Sequence, residues 1–248
     1  MYKQTKYIAA GDKSLVMEFG NSIGPEINAK IRNMVRTLDE SKLSGINEVI
    51  PTYRSLLIIY EPFLIDYDNL VNELKEMEKS LGDVASDEAR IVEIPTIYGG
   101  EYGPDIEFVA EHNNLTIDEV IKIHTSTDYL VYMLGFTPGF SYLGGMSEKI
   151  ETPRLQTPRT KIPAGSTGIA GKQTGIYPID SPGGWQLIGR TPVRLYDPLT
   201  DPPVLLNAGD YVRFVPINEE DYLEIHDLVN KGQYEVKIIK AGESHDND

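Results

Sequence analysis

Glycine and proline recur at short intervals from Gly135 to Pro203, and this feature limits the fold more than any other. The chain of 248 residues holds 22 glycines and 16 prolines, which crowd its second half. Such punctuation breaks long helices and suits short strands joined by tight turns and irregular connections. We therefore predict a mainly-β barrel for the second half of the chain.

The first half carries a different pattern, in which short apolar runs alternate with amphipathic segments. Two apolar runs around Gly11-Asp12 predict a β-hairpin. The elements predicted after it are a helix from Pro25, strands at 46–50 and 56–60, and a helix from about Asp66. This order of strands and helices is typical of a ferredoxin-like α+β domain, which we place at residues 1–85.

A polar segment of small residues at 82–88 is the predicted domain boundary. The barrel domain is placed at 90–240 and an acidic tail at 241–248. Outside the glycine-rich stretch, the elements predicted for the barrel domain are strands at 91–95, 129–134, 211–215 and 235–239 and helices at 105–112, 117–124 and 219–229. Thr116 and Glu119 predict a capping box at the start of the second helix.

The charge of the chain limits its partners. There are 23 Lys and Arg against 38 Asp and Glu, a net charge of −15, which opposes binding to nucleic acids and to anionic membrane surfaces. A small anionic substrate would then need a local basic pocket. The sequence has no cysteine and no apolar run near the ~20 residues that span a bilayer. We expect a cytoplasmic protein.

Residues 165–174 invite comparison with two catalytic motifs and match neither. Ser166 stands where a phosphate-binding loop, G-x-x-x-x-G-K-[ST], requires glycine, and Gln173 stands where it requires Ser or Thr. A nucleophile elbow, G-x-S-x-G, fails at Ala164 and lacks its strand–turn–helix context. Glycine turns between barrel strands explain the segment better.

The four histidines show no metal-ligand spacing, so no metal site is predicted. His124 alone is kept as a candidate site residue. It stands at the predicted C-terminus of the helix at 117–124, where the helix dipole favours a protonated imidazole.

The loop from Gly135 to Gly145 interleaves aromatic residues with glycines and a proline. It is either a rigid loop that completes the core or a preformed pocket wall, because glycine lets backbone N–H groups approach a ligand. Composition does not separate these two interpretations.

Arg154 and Arg159 stand beside prolines and are candidate anchors for a carboxylate or a phosphate. We expect Arg159, and second to it Arg154, to meet the anionic group of a ligand. The alternative is that they bridge to acidic side chains or between strands. No catalytic residue is assigned. The complete set of candidate pocket residues is His124, Phe136, Pro138, Phe140, Tyr142, Arg154, Arg159, Ser166, Gln173, Thr174, Ser181 and Trp185.

Several long segments resemble a known family. Residues 135–143, GFTPGFSYL, are similar to the signature G-F-x-P-G-F-x-Y-L of the family that comprises KipI, the B component of 5-oxoprolinase and allophanate hydrolase subunit 1. Further matching segments lie at 158–159, 162–166, 173–178 and 181–192. The resemblance implies an N-terminal ferredoxin-like domain and a C-terminal cyclophilin-like barrel, in agreement with the prediction from the residues.

The resemblance also implies an activity. It indicates the B component of an enzyme that, with its A and C components as partners, uses ATP to open 5-oxo-L-proline to L-glutamate. ATP is expected to be used by the assembled complex, and whether this chain carries its site is left open. The family implies an alternative, an inhibitor that binds a sporulation histidine kinase, and the sequence does not separate the two. A urea carboxylase-type transfer would need a biotin carrier domain, for which the sequence offers no candidate segment.

Overall fold

The computed structural model describes residues 1–81 and 90–240. The chain divides into two compact units between residues 87 and 88. The predicted boundary at 82–88 and the predicted tail at 241–248 lie outside the described residues. Within the described ranges, no helix is long and apolar enough to cross a membrane.

The first unit is an antiparallel four-stranded sheet with two helices. Its elements are β1 (Lys6–Ala9), β2 (Ser14–Glu18), α1 (Pro25–Ser41), β3 (Ile46–Pro51), β4 (Ser55–Tyr60) and α2 (Tyr67–Ser80). All the elements predicted for this half are confirmed. The sheet order is β1-β2-β4-β3. Alternate residues of β2 and β4 face one side of the sheet and form a single core with the apolar stripes of the two helices.

Over the described residues 90–240, the second unit is mainly β, with three α-helices and a short 3-10 helix at Glu148–Ile150. Its elements are β5 (Arg90–Tyr98), α3 (Ile106–Asn113), α4 (Ile117–Thr125), β6 (Asp128–Leu134), β7 (Ser141–Gly144), β8 (Arg159–Ile162), β9 (Ser166–Ala170), β10 (Gln173–Ile176), β11 (Ser181–Gly183), β12 (Gln186–Arg190), β13 (Tyr211–Pro216), α5 (Glu219–Asn230) and β14 (Ile238–Lys240). The glycine-rich stretch forms strands of only three to five residues, as its punctuation predicts. The capping box of Thr116 and Glu119 is present at the start of α4.

The main sheet of this unit nearly closes on itself. Its order is β10-β9-β12-β5-β13-β6-β7, with β14 added to β5, while β8 and β11 form a separate pair. The two end strands, β7 and β10, lie side by side. The unit is therefore a mixed α/β structure around a barrel-like sheet, in agreement with the predicted barrel.

Pro95 lies where the long strand β5 changes its partner. Along one edge, residues 90–92 pair with β14 and residues 97–98 pair with β12. Proline has no N–H to donate to a ladder, so it is tolerated between two such pairings. The last strand is shorter and later than the predicted 235–239, because the ladder with β5 begins only at Ile238, opposite Val92.

Candidate functional site

A pocket of about 260 Å³ with aromatic walls opens on the second unit, and we call it the aromatic pocket. Its lining residues are Phe136, Phe140, Tyr142, Arg154, Gln173, Tyr177, Pro182, Gly183, Gly184 and Trp185. Six of the candidate residues predicted from sequence meet here, namely Phe136, Phe140, Tyr142, Arg154, Gln173 and Trp185. The glycine-aromatic loop is therefore both a core element and a pocket wall.

Phe140 is the centre of the aromatic packing. Its ring makes edge-to-face contacts with Phe136, Tyr142, Trp185 and Tyr177, at centroid distances of 5.7, 5.3, 5.9 and 6.1 Å. Such pairs contribute about 0.5–1.5 kcal/mol each beyond the burial of their surface. Because Phe140 is buried, these contacts fix the pocket wall from its inner side.

Phe136 differs from its neighbours because it is exposed and strained. Its side chain is 74% exposed, and its φ of +67° lies in the left-handed region that bulky residues avoid. Thr137 N donates to Gly135 O at 2.8 Å, which closes a tight three-residue turn around Phe136. Strain of this kind persists mainly at functional sites.

Arg154 supplies the positive charge of the aromatic pocket. Its side chain is exposed, and no salt bridge to it exists among the described residues. Burial raises the pKa of the Tyr177 phenol, while the charge of Arg154 acts in the opposite direction, so the two groups are close. Among the residues that the structure describes, no acidic residue lines this pocket. An apolar cavity with one guanidinium at its wall and the Gln173 amide suits a small apolar ring that carries a carboxylate.

Arg159, the first of the two arginine candidates, does not line this pocket, whereas Arg154 does. Its Nη2 donates to Asp105 Oδ1 at 2.7 Å, and its Nη1 donates to the backbone O of Trp185 at 3.3 Å. The second oxygen of Asp105 accepts from Leu187 N at 2.6 Å. Because a nearby carboxylate already binds its fork, Arg159 braces the segment that carries Trp185 rather than presenting a free cation.

His124 and Thr174 lie together in the core rather than in the pocket. His124 Nδ1 is 2.8 Å from the Tyr98 hydroxyl, and its Nε2 is 2.8 Å from Thr174 Oγ1. Thr174 Oγ1 donates to Gly168 O at 3.1 Å, so its oxygen accepts from Nε2–H and Nδ1 accepts from Tyr98. A neutral imidazole satisfies the whole chain of hydrogen bonds.

The predicted protonated form of His124 is wrong. The side chain is fully buried, and desolvation lowers its pKa to about 3. The helix C-terminus favours a cation by only about 0.3–2 kcal/mol, which is less than the cost of removing the charge from water.

The remaining candidates, Ser166, Ser181 and Pro138, do not line the aromatic pocket. Ser166 is buried in β9, and the buried Ser181 donates its hydroxyl proton to Ile179 O at 3.0 Å. Pro138 is exposed on the outer side of the glycine-aromatic loop. Residues 166–176 form an antiparallel hairpin of β9 and β10, which confirms glycine turns between strands rather than a phosphate-binding loop or a nucleophile elbow.

Two residues near the site were missed from sequence. Tyr177 lines the pocket with Gln173, and the even spacing of residues 173 and 177 along β10 and its extension is the signal that could have found it. Asp105 was given no role in the site, because its partners Arg159 and Leu187 lie far away in sequence.

The model of the family "carboxyltransferase domain, subdomain C and D" matches residues 5–206. The B component of 5-oxoprolinase from Bacillus subtilis (strain 168) is 47% identical over 223 residues, which cover 86% of this chain and 92% of that protein. The chain belongs to the family of 5-oxoprolinase B components. The same component from Escherichia coli O157:H7 is 40% identical over 210 residues, 84% of this chain and 94% of that protein. The expected family is thereby confirmed.

A solved structure also matches this member of the 5-oxoprolinase B-component family. It is a conserved uncharacterized protein from Pyrococcus horikoshii, 47% identical, and the match covers 88% of this chain and 100% of that chain with a TM-score of 0.53.

We expect the buried His124 to make stability depend on pH. Its folded pKa of about 3 lies below the ordinary 6.5, so its contribution is complete above pH 6.5 and is lost as the pH falls towards 3. The slope from this group is about 1.4 kcal/mol per pH unit. Between pH 6.5 and 5, the free energy of unfolding of His124→Gln should therefore fall less steeply than that of the wild type. The exposed His112, changed to Gln, is the control and should keep the wild-type slope; equal slopes in all three proteins would contradict the assignment.

We expect Arg159→Met to lower the free energy of unfolding by about 1.5–3 kcal/mol, because it removes charge-assisted hydrogen bonds. Since Trp185 is the only tryptophan, its fluorescence emission should shift in the same variant. The matched control is Lys161→Met in the same strand, whose ion pair with Asp180 at 2.8 Å is exposed and worth about 0–1 kcal/mol. An unchanged emission spectrum in Arg159→Met would show that Arg159 does not hold Trp185.

Proposed function

We propose that this chain is the B component of an ATP-dependent 5-oxoprolinase, which works with partner subunits to open 5-oxo-L-proline to L-glutamate. The observation that carries the proposal is the similarity to 5-oxoprolinase B components along nearly the whole length of two bacterial relatives. Neither relative is named as a kinase inhibitor, so the enzyme component is preferred over that alternative.

The aromatic pocket supports a substrate of this kind. 5-Oxoproline is a small five-membered lactam with one carboxylate, which suits a cavity of about 260 Å³. Its ring methylenes would pack against the faces of Phe140 and Trp185. Its carboxylate would accept a bidentate pair of hydrogen bonds from Arg154. The amide of Gln173 can both donate and accept, and so can match the lactam N–H and C=O.

Opening this ring requires activation, because resonance stabilises the lactam. ATP, when bound by the complex, would supply a phosphoryl group to the amide oxygen and make the ring carbonyl carbon electrophilic. Water can then add to that carbon, and the C–N bond breaks as the ring nitrogen leaves as the amine of the product. A second water would release inorganic phosphate from the resulting acyl phosphate to give L-glutamate, with ADP as the other product of ATP. The residues of the aromatic pocket would bind the ring and orient it for this attack.

Partner subunits are part of the proposal, and we expect homologues of the C component and also of the A component of 5-oxoprolinase. Phe140 and Trp185 are buried and cannot supply a broad docking surface. Phe136 can contact a partner directly, because its ring is exposed beside the pocket entrance. A partner that covers Phe136 would close the pocket against water and so strengthen its polar interactions.

We further propose that the units are the ferredoxin-like and cyclophilin-like domains expected at 1–85 and 90–240. The sheet order β1-β2-β4-β3 with two helices supports the first assignment. The nearly closed sheet of the second unit supports the other. A cytoplasmic location stays a prediction.

The test of the proposed function is reconstitution. The chain alone should release no glutamate from 5-oxoproline, and it should co-purify with homologous partner subunits at native salt. The assembled complex should hydrolyse ATP only when 5-oxoproline is present. Robust turnover by the chain alone would refute the need for partners, and a stable complex without 5-oxoproline-dependent ATP hydrolysis would refute the enzyme.

In the assembled complex, we expect Arg154→Gln to raise KM for 5-oxoproline about ten- to a hundredfold, the loss of one charge-assisted contact. The kcat should change little, because the carboxylate is held equally before and during the reaction. Arg154→Lys should recover little, since an ammonium group lacks the planar fork. Lys149→Gln removes an exposed charge from the same unit and is the matched control. An unchanged KM in both Arg154 variants would exclude Arg154 as the carboxylate anchor.

A further inference from the structure

A second cavity of the barrel unit gathers hydrogen-bond donors in an otherwise acidic chain. It has a volume of about 130 Å³, and its walls come from residues 164–165, residues 190–194 and α5. We call it the arginine cavity. Of the described residues that line it, none is acidic, although the chain carries −15 overall. Its polar side chains are Arg190, Thr191, Arg194, Tyr222, His226 and Asn230.

Arg190 is held in place and still has donors to offer. It is half-buried at the end of β12, and its Nε donates to Ala164 O at 2.9 Å. No salt bridge to Arg190 exists among the described residues, and neither terminal nitrogen donates to another described residue. The guanidinium is therefore fixed at one nitrogen and available at the two that bind an oxyanion in parallel.

Tyr222 adds a second fixed donor. Its side chain is 6% exposed, and its ring lies against Tyr102 at 4.7 Å and stacks on His226 at 6.1 Å between centroids. Its hydroxyl has no hydrogen-bond partner among the described residues, and the charge of Arg190 opposes the rise that burial causes in its pKa. The Tyr222 hydroxyl and the half-buried Arg190 guanidinium therefore lie close together, and both can donate hydrogen bonds to the same ligand.

Gly165 allows the floor of the cavity to close. Its φ is +81°, and a Cβ at this position would lie 2.3 Å from Thr191 O, so no other residue fits. Gly165 and Arg190 both lie in segments that carry the family resemblance, 162–166 and 181–192. Neither residue lines the aromatic pocket.

A larger cavity of about 460 Å³ adjoins the arginine cavity. The residues that line both are Val193, Arg194, Val229 and Asn230. Arg194 at this border binds Asp197 at 2.8 Å through Nη1. The larger cavity is partly apolar, with Leu195, Tyr234 and Val236 among its lining residues, and its volume falls within the roughly 300–1,000 Å³ of ordinary small-molecule sites.

We propose that the arginine cavity binds a phosphate group, and that the body of the phosphorylated compound lies in the adjoining cavity. Arg190 and Tyr222 would donate to the phosphate oxygens, while His226 and the Asp197-bound Arg194 lie at the rim of the cavity. This choice of compound rests on the proposed function, in which the complex must hold the polyphosphate of ATP. The donors themselves recognise the phosphate group whichever compound carries it.

Calorimetric titration of the whole chain, in a buffer without phosphate at constant ionic strength, tests the site. Inorganic phosphate and ATP should bind, adenosine should bind far more weakly than ATP, and ATP should compete with inorganic phosphate. Arg190→Gln should weaken the binding of phosphate and of ATP about ten- to a hundredfold. Tyr222→Phe removes only a hydroxyl and should weaken both several-fold while the thermal midpoint stays near that of the wild type.

Two control variants separate this site from general charge effects and from the aromatic pocket. Arg54→Gln removes the same charge from an exposed position in the first unit and should leave phosphate and ATP affinity unchanged. Arg154→Gln should also leave them unchanged. Equal affinity for ATP and adenosine, absence of binding to the wild type, or unchanged affinity in both Arg190→Gln and Tyr222→Phe would overturn the proposal.

The reconstituted complex distinguishes this proposal from the proposed function. A complex that hydrolyses 5-oxoproline while the Arg190 and Tyr222 variants bind ATP normally would overturn the phosphate site alone. Variants that lose phosphate binding, in a complex with no action on 5-oxoproline, would uphold the phosphate site and refute the proposed function.

Discussion

The shape of the aromatic pocket depends on the carboxylate of Asp105. One oxygen accepts from Leu187 N at 2.6 Å and the other from Arg159 at 2.7 Å, and Arg159 also donates to Trp185 O. Asp105 stands at the start of α3 without capping it, because its oxygens are already bound elsewhere. The turn before it reaches β12 only because Gly103 has no side chain; a Cβ there would lie 2.1 Å from Ile188 O. A single half-buried ion pair thus ties a helix, two strands and the pocket tryptophan together.

The barrel unit uses charged and neutral polar groups in different places. The Asp105–Arg159 pair keeps some contact with water, with side-chain exposures of 13% and 29%, so the cost of desolvating two charges is only partly incurred. His124 has no such contact, and there the polar groups form a neutral chain in which every donor meets an acceptor. Partly exposed positions of this unit thus use ion pairs, whereas fully buried positions use neutral hydrogen bonds. Two cations without a salt bridge to the described residues, Arg154 and Arg190, lie at cavity walls.

Features set by neighbouring residues could be predicted from the sequence, and features set by distant ones could not. The helix start at Pro25 and the capping box at Thr116 are local, and the structure has both. The glycine-aromatic motif left a core loop and a pocket wall as alternatives, and in the structure its residues serve in both. Arg154 and Arg159 look alike in sequence, each beside a proline, and only the fold brings Asp105 to one of them across 54 positions. The prediction that His124 is protonated was wrong for the same reason. Other elements bury its side chain, and the cost of burying a charge outweighs the local helix dipole.

Phe136 combines two features that each cost the isolated chain free energy. The residue is disfavoured by its positive φ and again by an apolar ring that is 74% exposed. Phe140, four residues later in the same loop, is buried. The turn closed at Phe136 directs its ring outward, while the ring of Phe140 points inward. Whatever covers Phe136 removes apolar surface from water without first having to order the loop, because backbone hydrogen bonds already fix it. The strain is thus borne by the free chain, and a partner in the proposed complex would cover a rigid, exposed ring at little further ordering cost.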